Sequence, residues 1–134
     1  MGTSVLFSAL TESGEATGVG LSQVRELFEG FGIHVGDLGN GSHAITLVSP
    51  PGNSVVLHDE LLIDVEHGDV TSIWIDRPCS PGGNQLWFAL LNKGFIMVTA
   101  HDGQVFATPN VAKTVARSFP GGPKVVESPE DLPL

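Results

Sequence analysis

Cysteine is nearly missing from this sequence: Cys79 is the only one among 134 residues. A single thiol excludes an intramolecular disulfide and any multi-cysteine zinc site built from one chain. It makes a reducing, cytoplasmic setting the default expectation. Long apolar runs are missing too, since no stretch approaches the roughly 20 residues of a membrane-spanning helix. The opening Met1-Gly2-Thr3-Ser4 lacks a basic region and leads only into the short apolar run Val5 to Leu10, so no secretory signal and no membrane anchor are expected. Basic residues are scarce, with six Lys and Arg against fifteen Asp and Glu and a formal net charge of −9. Such a field repels phosphate backbones, which argues against direct nucleic-acid binding, because that binding draws most of its affinity from Lys and Arg releasing counterions. The same field attracts a basic protein and speeds the encounter. It also does the plainer work of keeping a protein in solution.

Internal repeats, heptads and long linkers are absent as well, so residues 1–134 are expected to form one domain. A chain of this length buries roughly two-thirds of its unfolded surface, and 41% hydrophobic residues suffice for a core without disulfide or metal. Seventeen glycines and nine prolines divide it into short elements. Ser4 to Leu10 reads as a strand and Thr11 to Gly20 as a loop. Leu21, Val24, Leu27, Phe28 and Phe31 make the stripe of an amphipathic helix ending at Gly30 or Gly32. His43 to Ser49 and Ser54 to His58 flank Pro50-Pro51-Gly52-Asn53 and are expected to pair as a hairpin.

A second hairpin is expected from Leu61 to Glu66 and Val70 to Asp76 around a three-residue loop, His67-Gly68-Asp69. That register sets Leu61, Ile63, Val65, Thr71, Ile73 and Ile75 on one face. Leu62, Asp64, Glu66, Ser72, Trp74 and Asp76 fall on the other. After the breaker Arg77 to Gly83, Leu86, Trp87, Leu90 and Leu91 recur at helical spacing, with Lys93-Gly94 as the C-terminal cap. Phe95 to Ala100 and Gln104 to Ala107 bracket the hairpin signal Asp102-Gly103. Thr108 offers a capping side chain before Pro109, and Val111, Ala112, Val115, Ala116 and Phe119 line a third helix. Lys124 to Glu127 reads as an edge strand and residues 128–134 as a loosely held tail. The expected class is α+β, a mainly antiparallel sheet of about five to eight short strands with three packed helices.

Chemical motifs are sparse. Gly18-Val19-Gly20-Leu21-Ser22-Gln23 lacks the last glycine of a dinucleotide fingerprint, and no Walker lysine follows. The five histidines, His34, His43, His58, His67 and His101, show no metal-ligand spacing. Neither a cofactor nor a metal is therefore expected. A nucleophilic Cys79 would need a nearby base, for which His101 with Asp102 is the candidate. Trp74 among carboxylates stands out instead, because an exposed Trp is a common interface anchor and a charged rim tunes partner choice.

The runs Ile73-Trp74-Ile75-Asp76-Arg77-Pro78, Leu86-Trp87-Phe88-Ala89-Leu90-Leu91 and Val125-Val126-Glu127-Ser128, in a small acidic α+β chain, resemble the immunity proteins of bacterial toxin systems of the contact-dependent inhibition and type VI secretion kinds. The resemblance implies a non-enzymatic inhibitor that binds a basic toxin domain, plausibly a nuclease, as a monomer or homodimer. The partner-binding residues expected from the acidic surroundings of Trp74, not from the resemblance, are Asp59, Glu60, Asp64, Glu66, Asp69, Trp74 and Asp76. Two alternatives stay open: a small enzyme using Cys79, His101 and Asp102, and an adaptor that dimerises through a sheet edge.

Overall fold

The computed structural model describes residues 4–11, 13–47, 60–76, 78, 83–119 and 121–133. Alternating burial marks the first strand, β1 (Val5–Leu10), in which Val5, Phe7 and Ala9 turn inward. The expected loop after it holds two short strands, β2 (Ala16–Thr17) and β3 (Val19–Gly20). Gly18 between them approaches the backbone at Asp69 and Val70 so closely that a Cβ there would stand 2.6 Å from the Cβ of Asp69. Helix α1 (Leu21–Gly30) buries Val24 and Phe28. It closes at Gly32, whose φ of 78° lets its N–H reach the Glu29 carbonyl while Ile33 N–H reaches that of Phe28. This is a Schellman cap, and Gly94 ends α2 (Asn84–Asn92) in the same way.

The remaining strands are β4 (Gly41–Thr46), β5 (Glu60–Glu66), β6 (Asp69–Ile75), β7 (Ile96–Thr99), β8 (Val105–Ala107) and β9 (Lys124–Val125). They join one sheet in the order β4-β5-β6-β1-β7-β8-β9, with β2 on β1 and β3 on β6. All pairings are antiparallel except β8 with β9. The class is thus α+β, with nine strands among the described residues rather than five to eight, because the loop after β1 pairs with the sheet at both ends.

The main core lies under α1 and α2, where Trp87 packs against Phe7 at 6.1 Å between ring centroids and Phe28, Leu90 and Leu91 close the layer. Each such side chain contributes about 1.5–3 kcal/mol by leaving water. The helix α3 (Pro109–Val115) sits on the opposite face, over Leu10, Ile96, Val98 and Val105. It covers the β1-β7-β8 end only. No described helix is long and apolar enough to cross a membrane.

Several expectations are corrected. Thr108 starts α3 without a side-chain cap, and its backbone carbonyl accepts from Ala112 instead. The helix gives way at Ala116 to a 3-10 turn, so Ala116 is exposed. In the segment expected to be a tail, Asp131 accepts from the Glu127 and Ser128 amides, and Leu132 is buried in the core. The strand expected at Ser54–His58, its hairpin with the preceding strand, and Cys79 lie outside the described residues.

The largest correction concerns the β5-β6 hairpin. Leu61, Leu62, Ile63 and Asp64 pair with Ile75, Trp74, Ile73 and Ser72 as expected, but Val65 pairs with Val70 and Glu66 with Asp69. The turn is therefore two residues, His67-Gly68, with φ of 52° and 79°. Both positive values are what a type I′ turn requires. Thr71 is the extra residue of a bulge and leaves the buried face to Val70, since the chain must bury the larger apolar side chain.

Candidate functional site

The bulge leaves the cross-strand register intact where it matters, and three rows of side chains cross the open face of β4, β5 and β6. The middle row is apolar: Ala44 pairs with Leu62, Leu62 with Trp74, and Trp74 with Leu6. Leu62 is 40% exposed and Trp74 37%, the most accessible large apolar groups on the sheet besides Val125. Trp87, on the helical stripe, is sealed at 1%. Cross-strand neighbours of this kind have Cβ atoms about 5 Å apart, so the row forms a continuous apolar floor.

On one side of that floor runs a hydroxyl row, Ser42, Asp64 and Ser72. Ser42 and Ser72 both donate to the Asp64 carboxylate, the latter at 2.6 Å. The hydrogen bond from Ser42, followed by that from Ser72, holds the Asp64 carboxyl below the ordinary carboxylate range. Asp64 thus clamps three strands together.

On the other side stand Thr46, Glu60 and Asp76, which with Ala44, Leu62 and Trp74 surround a cleft of about 260 Å³. Glu60 and Asp76 are exposed, and Asp76 accepts from Ser4 Oγ at 2.8 Å. The ion pairs among the described residues join Arg25 to Asp37 and His34 to Glu29, so neither cleft acid is neutralised by a described Lys or Arg. Strands β4, β5 and β6 contain no Lys or Arg at all. Lys113, Arg117 and Lys124 sit on α3, the turn after it and β9, toward the other end of the strand order. Lys124 is engaged there by Gln104 Oε1 and lies over the Phe106 ring.

The expected binding residues therefore separate into groups. Trp74, Glu60 and Asp76 share the cleft. Asp64 is committed to strand pairing, and Glu66 and Asp69 face each other beside the His67-Gly68 turn at the far end of the hairpin. Asp59 lies outside the described residues. Sequence reasoning did not assign Ala44, Thr46 and Leu62 to the site. Alternation within Gly41–Thr46 carried the signal for the first two, since Ser42, Ala44 and Thr46 alternate with the better-covered His43 and Ile45.

The open alternative of an enzyme rested partly on His101 and Asp102. Asp102 is occupied in the β7-β8 turn, accepting from Thr99 Oγ1 and from the Gln104 amide at 3.2 Å. The Thr99 hydroxyl, more than the amide, holds its carboxyl below the ordinary range. No group of three or more His, Cys, Asp or Glu among the described residues is placed to hold a metal ion. No protein-family model, curated protein or solved structure matches the chain.

Proposed function

We propose that this protein is a non-enzymatic inhibitor of the immunity type, which docks the open face of β4, β5 and β6 on a basic toxin domain, plausibly a nuclease, and blocks it by occlusion. The observation that carries this reading is an accessible Leu62-Trp74 floor bordered by Glu60 and Asp76, on strands that contain no Lys or Arg. Apolar cores with polar rims are the anatomy of protein interfaces. Carboxylates on such a rim compete with phosphate for the cationic groove of a nuclease and raise the association rate. The binder acts in a reducing compartment, in keeping with its one cysteine.

The test is co-expression with the toxin domain encoded beside its gene. Growth is rescued by the native chain and lost with Trp74→Ala combined with Asp76→Lys, while circular dichroism shows both chains folded. Rescue undiminished by that pair, or purified components that fail to associate at low salt, refutes the proposal.

A further inference from the structure

We infer that the cleft bounded by Leu62, Trp74, Glu60 and Asp76 is an arginine subsite, built to receive one guanidinium from the basic partner; this deepens the docking proposal and rests on it. The cleft joins three features that a guanidinium uses together and no other side chain uses equally well. Trp74 is exposed on the floor of the cleft, and Trp is the strongest aromatic partner for a cation. Glu60 and Asp76 stand on adjacent antiparallel strands, one position beyond the Leu61-Ile75 pair, and so flank the same side of the indole. Ala44 and Leu62 continue the floor alongside the row of Thr46, Glu60 and Asp76 and give the three-methylene stem an apolar surface.

The charge state of the cleft supports this occupant. Two carboxylates held on neighbouring strands repel each other, and no described Lys or Arg relieves them. Ser4 Oγ donates to one oxygen of Asp76, and among the described residues no donor engages the second. A planar, delocalised cation relieves that repulsion, stacks flat on Trp74 and aims its N–H edge at both acids. An ammonium is a compact, strongly hydrated point charge and cannot stack in this way. The volume, about 260 Å³, suits one side chain rather than a helix or a strand.

The experiment uses the full chain and N-acetyl-arginine amide, with the lysine and citrulline amides as controls, followed through the Trp74 indole N–H and the Leu62 methyl signals in NMR spectra. Saturable shifts at both groups are expected for the arginine compound. The lysine compound should bind about fivefold more weakly, the difference expected from losing the planar stack and the forked N–H edge of the guanidinium, and the neutral citrulline compound should give none. Glu60→Gln with Asp76→Asn keeps the shape of the cleft and should abolish the arginine shifts, with the remaining amide spectrum unchanged. Equal shifts from arginine and lysine, shifts that survive the double amide variant, or no shift at Trp74 overturns the subsite. The parent reading fails separately. If the basic domain binds the native and double amide chains equally while arginine amide gives no shift, the subsite falls and docking stands. If arginine amide saturates the cleft but no basic domain binds, the subsite stands and the inhibitor reading falls.

Discussion

Replacing Asp64 by Asn separates the acid that builds the surface from those available to a partner. The native carboxylate accepts from Ser42 on β4 and Ser72 on β6 while belonging to β5. An asparagine side chain has one acceptor oxygen, so one of the two hydroxyls loses its carboxylate partner and the other bonds to a neutral group. Hydrogen bonds to charged groups are worth about 1.5–3 kcal/mol when well buried. Asp64 is half-buried and its serine partners can turn to water, which brings the expected loss to about 1–2 kcal/mol at neutral pH. The folded pKa lies below the unfolded one, so this contribution is present in full above the ordinary carboxylate value of 3.8 and disappears as the pH falls through the lowered folded value. Urea titrations of native and Asp64→Asn chains should therefore differ at pH 7 and converge in strong acid. Association with a basic partner at neutral pH should change far less than it does on altering Glu60 or Asp76. A stability difference that is the same at both pH values, or a variant that folds as well as the native chain but no longer binds, would refute the assignment of Asp64 to strand pairing.

Other substitutions probe the frame around the site. Gly18→Ala places a Cβ 2.6 Å from the Asp69 Cβ and 3.1 Å from the Val70 carbonyl oxygen; a loss of about 1–3 kcal/mol in chemical denaturation is expected from the forced shift of β3 against β6. His67→Asn keeps the side chain tolerant of the positive φ in the two-residue turn and should raise stability by about 0.5 kcal/mol, whereas His67→Val should lower it by about 1–2 kcal/mol, both read from urea midpoints. Glu60→Lys with Asp76→Lys moves the net charge from −9 to −5, two units at each position, and removes the Ser4 hydrogen bond. Its thermal midpoint should shift by only a few degrees, about 1 kcal/mol or less for exposed groups, while calorimetric titration with the basic domain should show binding lost at low salt.

Much of the frame was legible because apolar periodicity and glycine chemistry agreed. The stripe of α1, the Gly94 cap of α2 and the Asp102-Gly103 turn are local features whose causes lie within a few residues. The mutual position of β4 and β5 was not legible, because pairing between strands separated by a loop depends on which apolar faces meet and not on a turn signal. The strand expected to partner β4 lies outside the described residues; the pairing of Gly41–Thr46 with Glu60–Glu66 is one that no turn signal announces. Residues Ala44 and Thr46 were missed for this reason alone. They join the cleft through a neighbour that local patterning cannot name.

The β5-β6 hairpin shows where a finer reading was available. On β6 the buried residues are Val70, Ile73 and Ile75, a spacing of three and then two. Strict alternation cannot bury both Val70 and Ile73, so one residue between them must be extra, and Thr71 is the one left over. A three-residue loop without a bulge keeps Asp64 opposite Ser72 but leaves Val70 unplaced; a two-residue loop without a bulge buries Val70 but turns Trp74 inward and Ile73 outward. Only a two-residue turn combined with a bulge satisfies both ends of the strand. The bulge is thus what lets the hairpin bury Val70 near its turn and still present Trp74, with Glu60 and Asp76 beside it, on the open face. Deleting Thr71 removes the one unpaired residue, so Val70 should stay opposite Val65, Ser72 opposite Asp64 and Trp74 on the open face, as accessible to an aqueous quencher as in the native chain. A folded deletion variant in which Trp74 is shielded from the quencher would show that Thr71 is not the extra residue and that the bulge does not set the face on which the aromatic stands.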